Sequence, residues 1–135
     1  MKKDKTFTIP AGVETVERQA FYQNEFLETI VFCDSLKRIE RQAFSEMVNL
    51  KEVRLPSGLQ YIDEYAFESS RALESVTIPN SVTFIGQKVF SYCENLSSIN
   101  FNGTKAEWNA IQKGKGWKSG APATVVHCTD GDVTI

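Results

Sequence analysis

The segment Val16-Glu-Arg-Gln-Ala-Phe21 returns as Ile39-Glu-Arg-Gln-Ala-Phe44, 23 residues further along the chain. The same step governs most of the sequence. Ala-Phe pairs stand at Ala20-Phe21, Ala43-Phe44 and Ala66-Phe67, and Val89-Phe90 fills the next slot. Leu27, Leu50, Leu73 and Leu96 keep the step, as do Val16, Ile39, Ile62 and Ile85, and Val13, Leu36, Leu59 and Val82. Two columns run one unit longer: Phe7, Ile30, Val53, Val76, Ile99, and Ile9, Phe32, Leu55, Ile78, Phe101. Every slot in these columns is apolar, in a chain whose apolar content is only 41%. A fixed period with apolar residues in register marks a repeat architecture, because one such unit cannot bury its apolar face alone and must stack on its neighbours.

Spacing inside a unit distinguishes its parts. Val53 and Leu55, like Val76 and Ile78, alternate with polar residues, which predicts a short strand with one buried face. Pro10, Pro56 and Pro79 end these strands, since proline has no N–H for a central ladder. From Leu59 onward the apolar positions fall three to five apart (Leu59, Ile62, Ala66, Phe67), predicting turns or short helical pieces on the return. The recurring phenylalanine plugs the core at each level, so Phe44 and Phe67 should be buried and stacked.

Leu50-Lys-Glu-Val53-Arg-Leu55 and Leu73-Glu-Ser-Val76-Thr-Ile78, with equivalents beginning at Leu27 and Leu96, follow the LxxLxL pattern of leucine-rich repeats. With "IPNSVTFIGQKVFSYCENL" after the third, the unit resembles the 23-residue repeat of the BspA-like bacterial leucine-rich repeat family. The resemblance runs from about Phe7 to Phe101. Cys33 departs from it by replacing a strand-ending proline, and Glu17, Glu40 and Asp63 stand where that family often has the glycine kept at Gly86. The resemblance implies a leucine-rich-repeat solenoid of the α/β, strand-rich class, a right-handed superhelix with a five-stranded parallel concave sheet.

Three segments are expected: a charged tail at 1–6, a solenoid of about four and a half coils at 7–103, and a cap at 104–135. Thr104-Lys-Ala-Glu107 reads as a capping box opening a helix through about Gln112, with Gly114 past its end. Trp108 and Ile111 are placed to cover the last coil. "ATVVHC" and "DVTI" flank Thr129-Asp130-Gly131 as a hairpin.

Fifteen basic and seventeen acidic residues give a formal net charge of −2, without the basic excess of a nucleic-acid binder. No apolar run approaches a membrane span, and "MKKDKTFTIP" lacks the apolar core of a signal peptide. Cys33, Cys93 and Cys128 have no pairing or ligand spacing and read as reduced structural thiols. The one histidine, His127, has no nucleophile or acid at catalytic spacing and reads as structural. No catalytic, metal-binding or cofactor motif is present, so the chain is expected to be no enzyme and to hold no cofactor. Glu17, Glu40 and Asp63 would stack roughly 5 Å apart as a carboxylate ladder, which Arg18 and Arg41 are placed to neutralise rather than calcium. Lys113, Lys115, Trp117 and Lys118 read as a solvated loop.

What remains is a surface. Repeat arrays present long, rigid faces, and relatives of this resemblance are commonly segments of bacterial surface proteins that bind other proteins. The expected function is therefore non-catalytic protein–protein recognition or adhesion, with location at the cell surface or secretion implied by the resemblance alone. The candidate partner-binding residues are Thr8, Val31, Arg54, Thr77 and Asn100, which alternate with the buried strand positions, and Glu52 beside them. Arginine is enriched at binding hot spots, which makes Arg54 the expected anchor. Tyr61 and Phe84 form a second outward column, the one candidate platform for a glycan or small ligand; a structural spacer in a larger surface protein would need no site. Nothing in "MKKDKT" can cover Phe7, Ile9 and Val13, so the first coil is expected either to continue a longer array or to join a homodimer by twofold symmetry.

Overall fold

The computed structural model describes residues 5–135, and it forms a parallel β-solenoid of about five turns. One face carries β1 (Thr6–Thr8), β3 (Thr29–Val31), β5 (Glu52–Arg54), β7 (Ser75–Pro79) and β9 (Ser98–Asn102). The return face carries β2 (Thr15–Val16), β4 (Arg38–Ile39), β6 (Tyr61–Ile62), β8 (Phe84–Ile85) and β10 (Gln112–Lys113). After β9 come a short helix, α1 (Lys105–Ala110), then β11 (Val125–Cys128) and β12 (Gly131–Thr134). The repeat step is the hydrogen-bonding register: Phe7 pairs with Ile30, Val53 with Val76 and Val76 with Ile99.

The return differs from the turns or helical pieces expected from the spacing. Val16, Ile39, Ile62 and Ile85 align in a second parallel ladder, continued by Lys113. Each two-residue strand is too short to show alternation in the sequence, and only stacking on the next coil makes it a strand. Tight turns follow, in which Gln19, Gln42, Tyr65 and Lys88 occupy left-handed backbone at φ 54 to 60°. That region is costly for residues with a Cβ. Here it turns each N–H onto the next coil, where Gln19, Gln42, Tyr65 and Lys88 donate to the carbonyls of Arg41, Glu64, Gln87 and Lys115. The side-chain amide of Gln19 also donates to Gln42 Oε1 at 2.9 Å.

Between the faces runs the aromatic column. Phe21, Phe44, Phe67 and Phe90 stack nearly parallel at 5.2, 5.2 and 5.6 Å, and the last three are fully buried. Two of the buried serines are matched to carbonyls: Ser70 Oγ donates to Phe44 and Ser45 Oγ to Glu68. Cys93 Sγ does the same to Phe67, and burial pushes its thiol up to about 12, so it stays an uncharged core residue.

The expected single strand sheet is interrupted. β1 and β3 form one two-stranded sheet, while β5, β7 and β9 continue through β11 into a five-stranded sheet edged by the antiparallel β12. Beyond β9 the chain keeps the solenoid path: Lys88, Phe90 and Tyr92 donate to Lys115, Trp117 and Ser119 just as Tyr65, Phe67 and Ser69 donate to Gln87, Val89 and Ser91. Gln112 pairs with Phe84, a step of 112 − 84 = 28, and α1 takes up the residues beyond the usual 23. The capping box is formed, with Thr104 Oγ accepting from Glu107 N–H and Glu107 Oε1 accepting from Thr104 N–H. The helix ends at Ala110 rather than Gln112 because Gln112 is drawn into the return ladder. Gly114 is required by this close approach, since a Cβ there would lie 2.2 Å from the nitrogen of Gln87.

Candidate partner-binding face

Strand alternation decides which side chains are displayed. Val53 is fully buried, while Glu52 and Arg54 on either side of it are exposed. Thr8 stands beside Val31 in one sheet, and Arg54, Thr77 and Asn100 line up in the other. Glu52 begins the flanking row, followed in register by Ser75 and Ser98. Six of the eight candidate residues thus share the strand face. Arg54 Nε donates to Glu52 Oε1 at 2.7 Å, and this hydrogen bond raises the guanidinium pKa further.

Tyr61 and Phe84 are neighbours, as their shared column requires, but on the return face. The Arg38 guanidinium lies 4.6 Å above the Tyr61 ring and also reaches Asp63 at 3.4 Å. Asp63 is therefore neutralised from Arg38 in the preceding coil, not from Arg18 or Arg41. Arg18 contributes only its backbone N–H, to Glu40, and Arg41 lies over Tyr65. Burial raises the Asp63 pKa against the opposing pull of Arg38. Among the described residues no group of three or more histidine, cysteine or acidic side chains is placed to hold a metal ion.

The basic loop is built into the fold more closely than a solvated loop. Lys113 Nζ donates to the carbonyls of Trp108 and Ile111 at the end of α1, which has no other basic partner there, and Lys118 Nζ donates to Ala123. Burial lowers the Lys113 pKa.

One displayed residue escaped the sequence reading. His127 pairs with Asn100 and so extends the outward column, held at 2.8 Å by Asp132 across the hairpin. Its signal was displaced: Val126 pairs with Ile99, a step of 126 − 99 = 27 that a search at 23 passes over.

A stacked parallel ladder with a leucine-rich register, an aromatic column in its core and a row of displayed polar side chains defines a leucine-rich repeat protein. A family model described as "BspA type Leucine rich repeat region" matches residues 2–112 in six copies, and the chain belongs to this family. Among solved structures, a Treponema pallidum leucine-rich repeat protein, TpLRR, is 26% identical with a TM-score of 0.80 over 90% of this chain and 57% of its own. A leucine-rich cell surface protein of Faecalibacterium prausnitzii is 32% identical, with a TM-score of 0.59 over 83% of this chain and 36% of its own. The pneumococcal vaccine antigen PcpA shares the fold at 24% identity, with a TM-score of 0.78 over 94% of this chain and 31% of its own. This chain therefore spans a third to somewhat over half of these relatives' lengths. No curated protein matches it. Among the described residues no helix is long and apolar enough to cross a membrane.

Proposed function

We propose that this chain is a non-catalytic protein-recognition or adhesion module of a bacterial surface protein, binding its partner through the strand face. The observation that carries this reading is the row of Arg54, Thr77, Asn100 and His127, held in register on a sheet whose other side is the core. The paired backbone fixes the spacing of the row, so a partner need not order these strands on binding, which favours recognition. Surface location is proposed from the likeness to the F. prausnitzii cell surface protein. The test is selection of displayed peptides on the immobilised protein, with an Arg54→Glu, Thr77→Lys, Asn100→Asp variant in parallel. Ligands that prefer the parent support the strand face; ligands that bind both equally place recognition elsewhere.

A second reading rests on the first coil. Phe7, Ile9, Pro10, Val13, Val16 and Phe21 line an open cavity of 250 Å³, an apolar surface that a second copy would cover. In the later coils Arg41, Ala43 and Ser45 use their carbonyls to accept from the preceding turn, and those of Arg18, Ala20 and Tyr22 face the same way with no donor among the described residues. A twofold dimer would set these acceptors against each other, so its contact would be made through the apolar cavity rather than through these turns. Sedimentation of the parent beside a Phe7→Asp, Ile9→Lys variant tests this. A parent that stays monomeric at high concentration removes the dimer.

A further inference from the structure

The closing hairpin leaves a strand edge bare. β12 ends the five-stranded sheet, paired with β11 on one side and with no strand on the other among the described residues. Its register sets Val126 opposite Val133 and Cys128 opposite Gly131, and Ile135 N–H donates to Thr124. In an antiparallel pair, residues that exchange main-chain bonds alternate with residues whose main-chain groups point the other way. The N–H and C=O groups of Asp132 and Thr134 therefore face outward from the sheet edge. Both residues are exposed.

Bare edges are commonly guarded by a proline, a lysine, a bulge or a covering element. Gly131-Asp-Val-Thr134 has neither proline nor lysine, and its register with β11 runs without a bulge. The charge on Asp132 is turned back along the strand face to His127 at 2.8 Å, so it does not project across the edge. α1 approaches β12 at its first residue, where Lys105 lies beside Gly131, and leaves Asp132 and Thr134 uncovered. On the inner side of the same strand, Val133 is only half-buried against the core.

We propose that β12 is a homodimer seam, in which two copies pair antiparallel through this edge about a twofold axis at Val133. The edge is self-complementary in that register. Asp132 of one copy exchanges main-chain bonds with Thr134 of the other, and symmetry repeats the pair. Each acid then faces a threonine rather than another acid. Val133 stands opposite its own copy in the closer, non-hydrogen-bonded pair, which covers part of an apolar side chain that the single chain leaves open. The seam is separate from the cavity of the first coil. It goes beyond the strand-face reading by running two such faces into one sheet, with both displayed rows on the same side. About four main-chain bonds and one apolar pair make a small contact, so the dimer is weak, with a Kd on the order of 0.1 mM. Its effect is bivalency: two linked faces hold a repetitive surface more tightly than one.

Sedimentation equilibrium of the full chain between about 10 μM and 1 mM tests the seam, with amide exchange followed at both ends of that range. The expected result is a monomer–dimer equilibrium in which exchange at Asp132 and Thr134 slows at the high concentration. Thr134→Pro removes an outward N–H and no bond within the chain, so it should keep the parent's thermal midpoint and weaken dimerisation at least tenfold. Thr134→Asp sets carboxylates directly opposite each other and should weaken it as well. Adding Asp132→Lys to that variant turns each repulsive pair into an attractive one and should restore the dimer, a rescue that a folding defect would not give. A parent that stays monomeric at 1 mM overturns the proposal, as does a dimer without slowed exchange at Asp132 and Thr134. A dimer that survives Thr134→Pro but is lost in the Phe7→Asp, Ile9→Lys variant belongs to the first coil and overturns the seam. None of these results bears on the strand face, whose test is made at Arg54, Thr77 and Asn100.

Discussion

At the carboxyl end the phenylalanine column stops against Trp117, edge-on to Phe90 at 6.4 Å, and Trp108 packs edge-on against both Trp117 and Phe101. At the amino end the same column stops at Phe21, with Phe7 edge-on at 5.2 Å and 39% exposed beside an open cavity. Both ends grow from the same coil. The period supplies stacking, but it has no instruction for stopping, and closure needs residues that depart from it. α1 and the two tryptophans are that departure, and Trp108 is almost fully buried by it.

The sharpest test of this contrast compares the middle of the column with its open end. Phe67→Ala should cost about 3–5 kcal/mol in denaturant titration, the usual range for a fully buried phenylalanine. Phe21→Ala should cost clearly less, because its ring is only partly buried; equal losses would show that the amino end is as tightly packed as the centre. Next in size is the closure itself. Trp108→Ala should lose about 3 kcal/mol and speed amide exchange at Phe90 and Tyr92, whose N–H groups donate into the closing loop. If exchange quickened instead at Gln19 and Phe21, the two ends would be energetically continuous.

A smaller effect is expected at the start of α1. Thr104→Ala removes one side of the capping box and should cost about 1 kcal/mol, with the loss read from the thermal midpoint. No change would mean that tertiary packing of Trp108 alone holds the helix. The smallest effect lies between the ends, at Asp63. Desolvation raises its folded-state pKa despite Arg38, with Glu40 and Glu64 adding to the rise. The folded chain thus holds that proton more tightly than the unfolded chain, so the stabilisation is complete below the ordinary carboxylate value and is lost as pH rises through the raised one. Relative to an Asp63→Asn variant, the parent's urea midpoint should therefore fall as pH rises from about 4. A constant gap between them would place Asp63 in water.

Much of this was legible beforehand, for a reason particular to solenoids. When register equals period, columns of identical spacing are columns of contact, so Val53 under Val76 and Phe44 on Phe67 could be read directly. The outward row from Arg54 to Asn100 followed from alternation. The return ladder did not: a two-residue strand carries no alternation, and Ile39 and Ile62 look the same in a turn as in a strand. Lys113 looked like a loop cation because nothing local shows that it faces the end of α1.

By itself the sequence determined the coil, its register, the inward columns and the helix start, because each depends on residues at fixed separation. Only the tertiary structure decided where the ladder breaks, that His127 joins the displayed row, and that Gln112 leaves the helix for a strand. Those outcomes come from competition between neighbours across coils. Gln112 bonds Thr83 across coils, and His127 is aligned by the pairing of Val126 with Ile99. Such competition is settled by volume and hydrogen-bond supply at one level of the stack, which no single unit encodes.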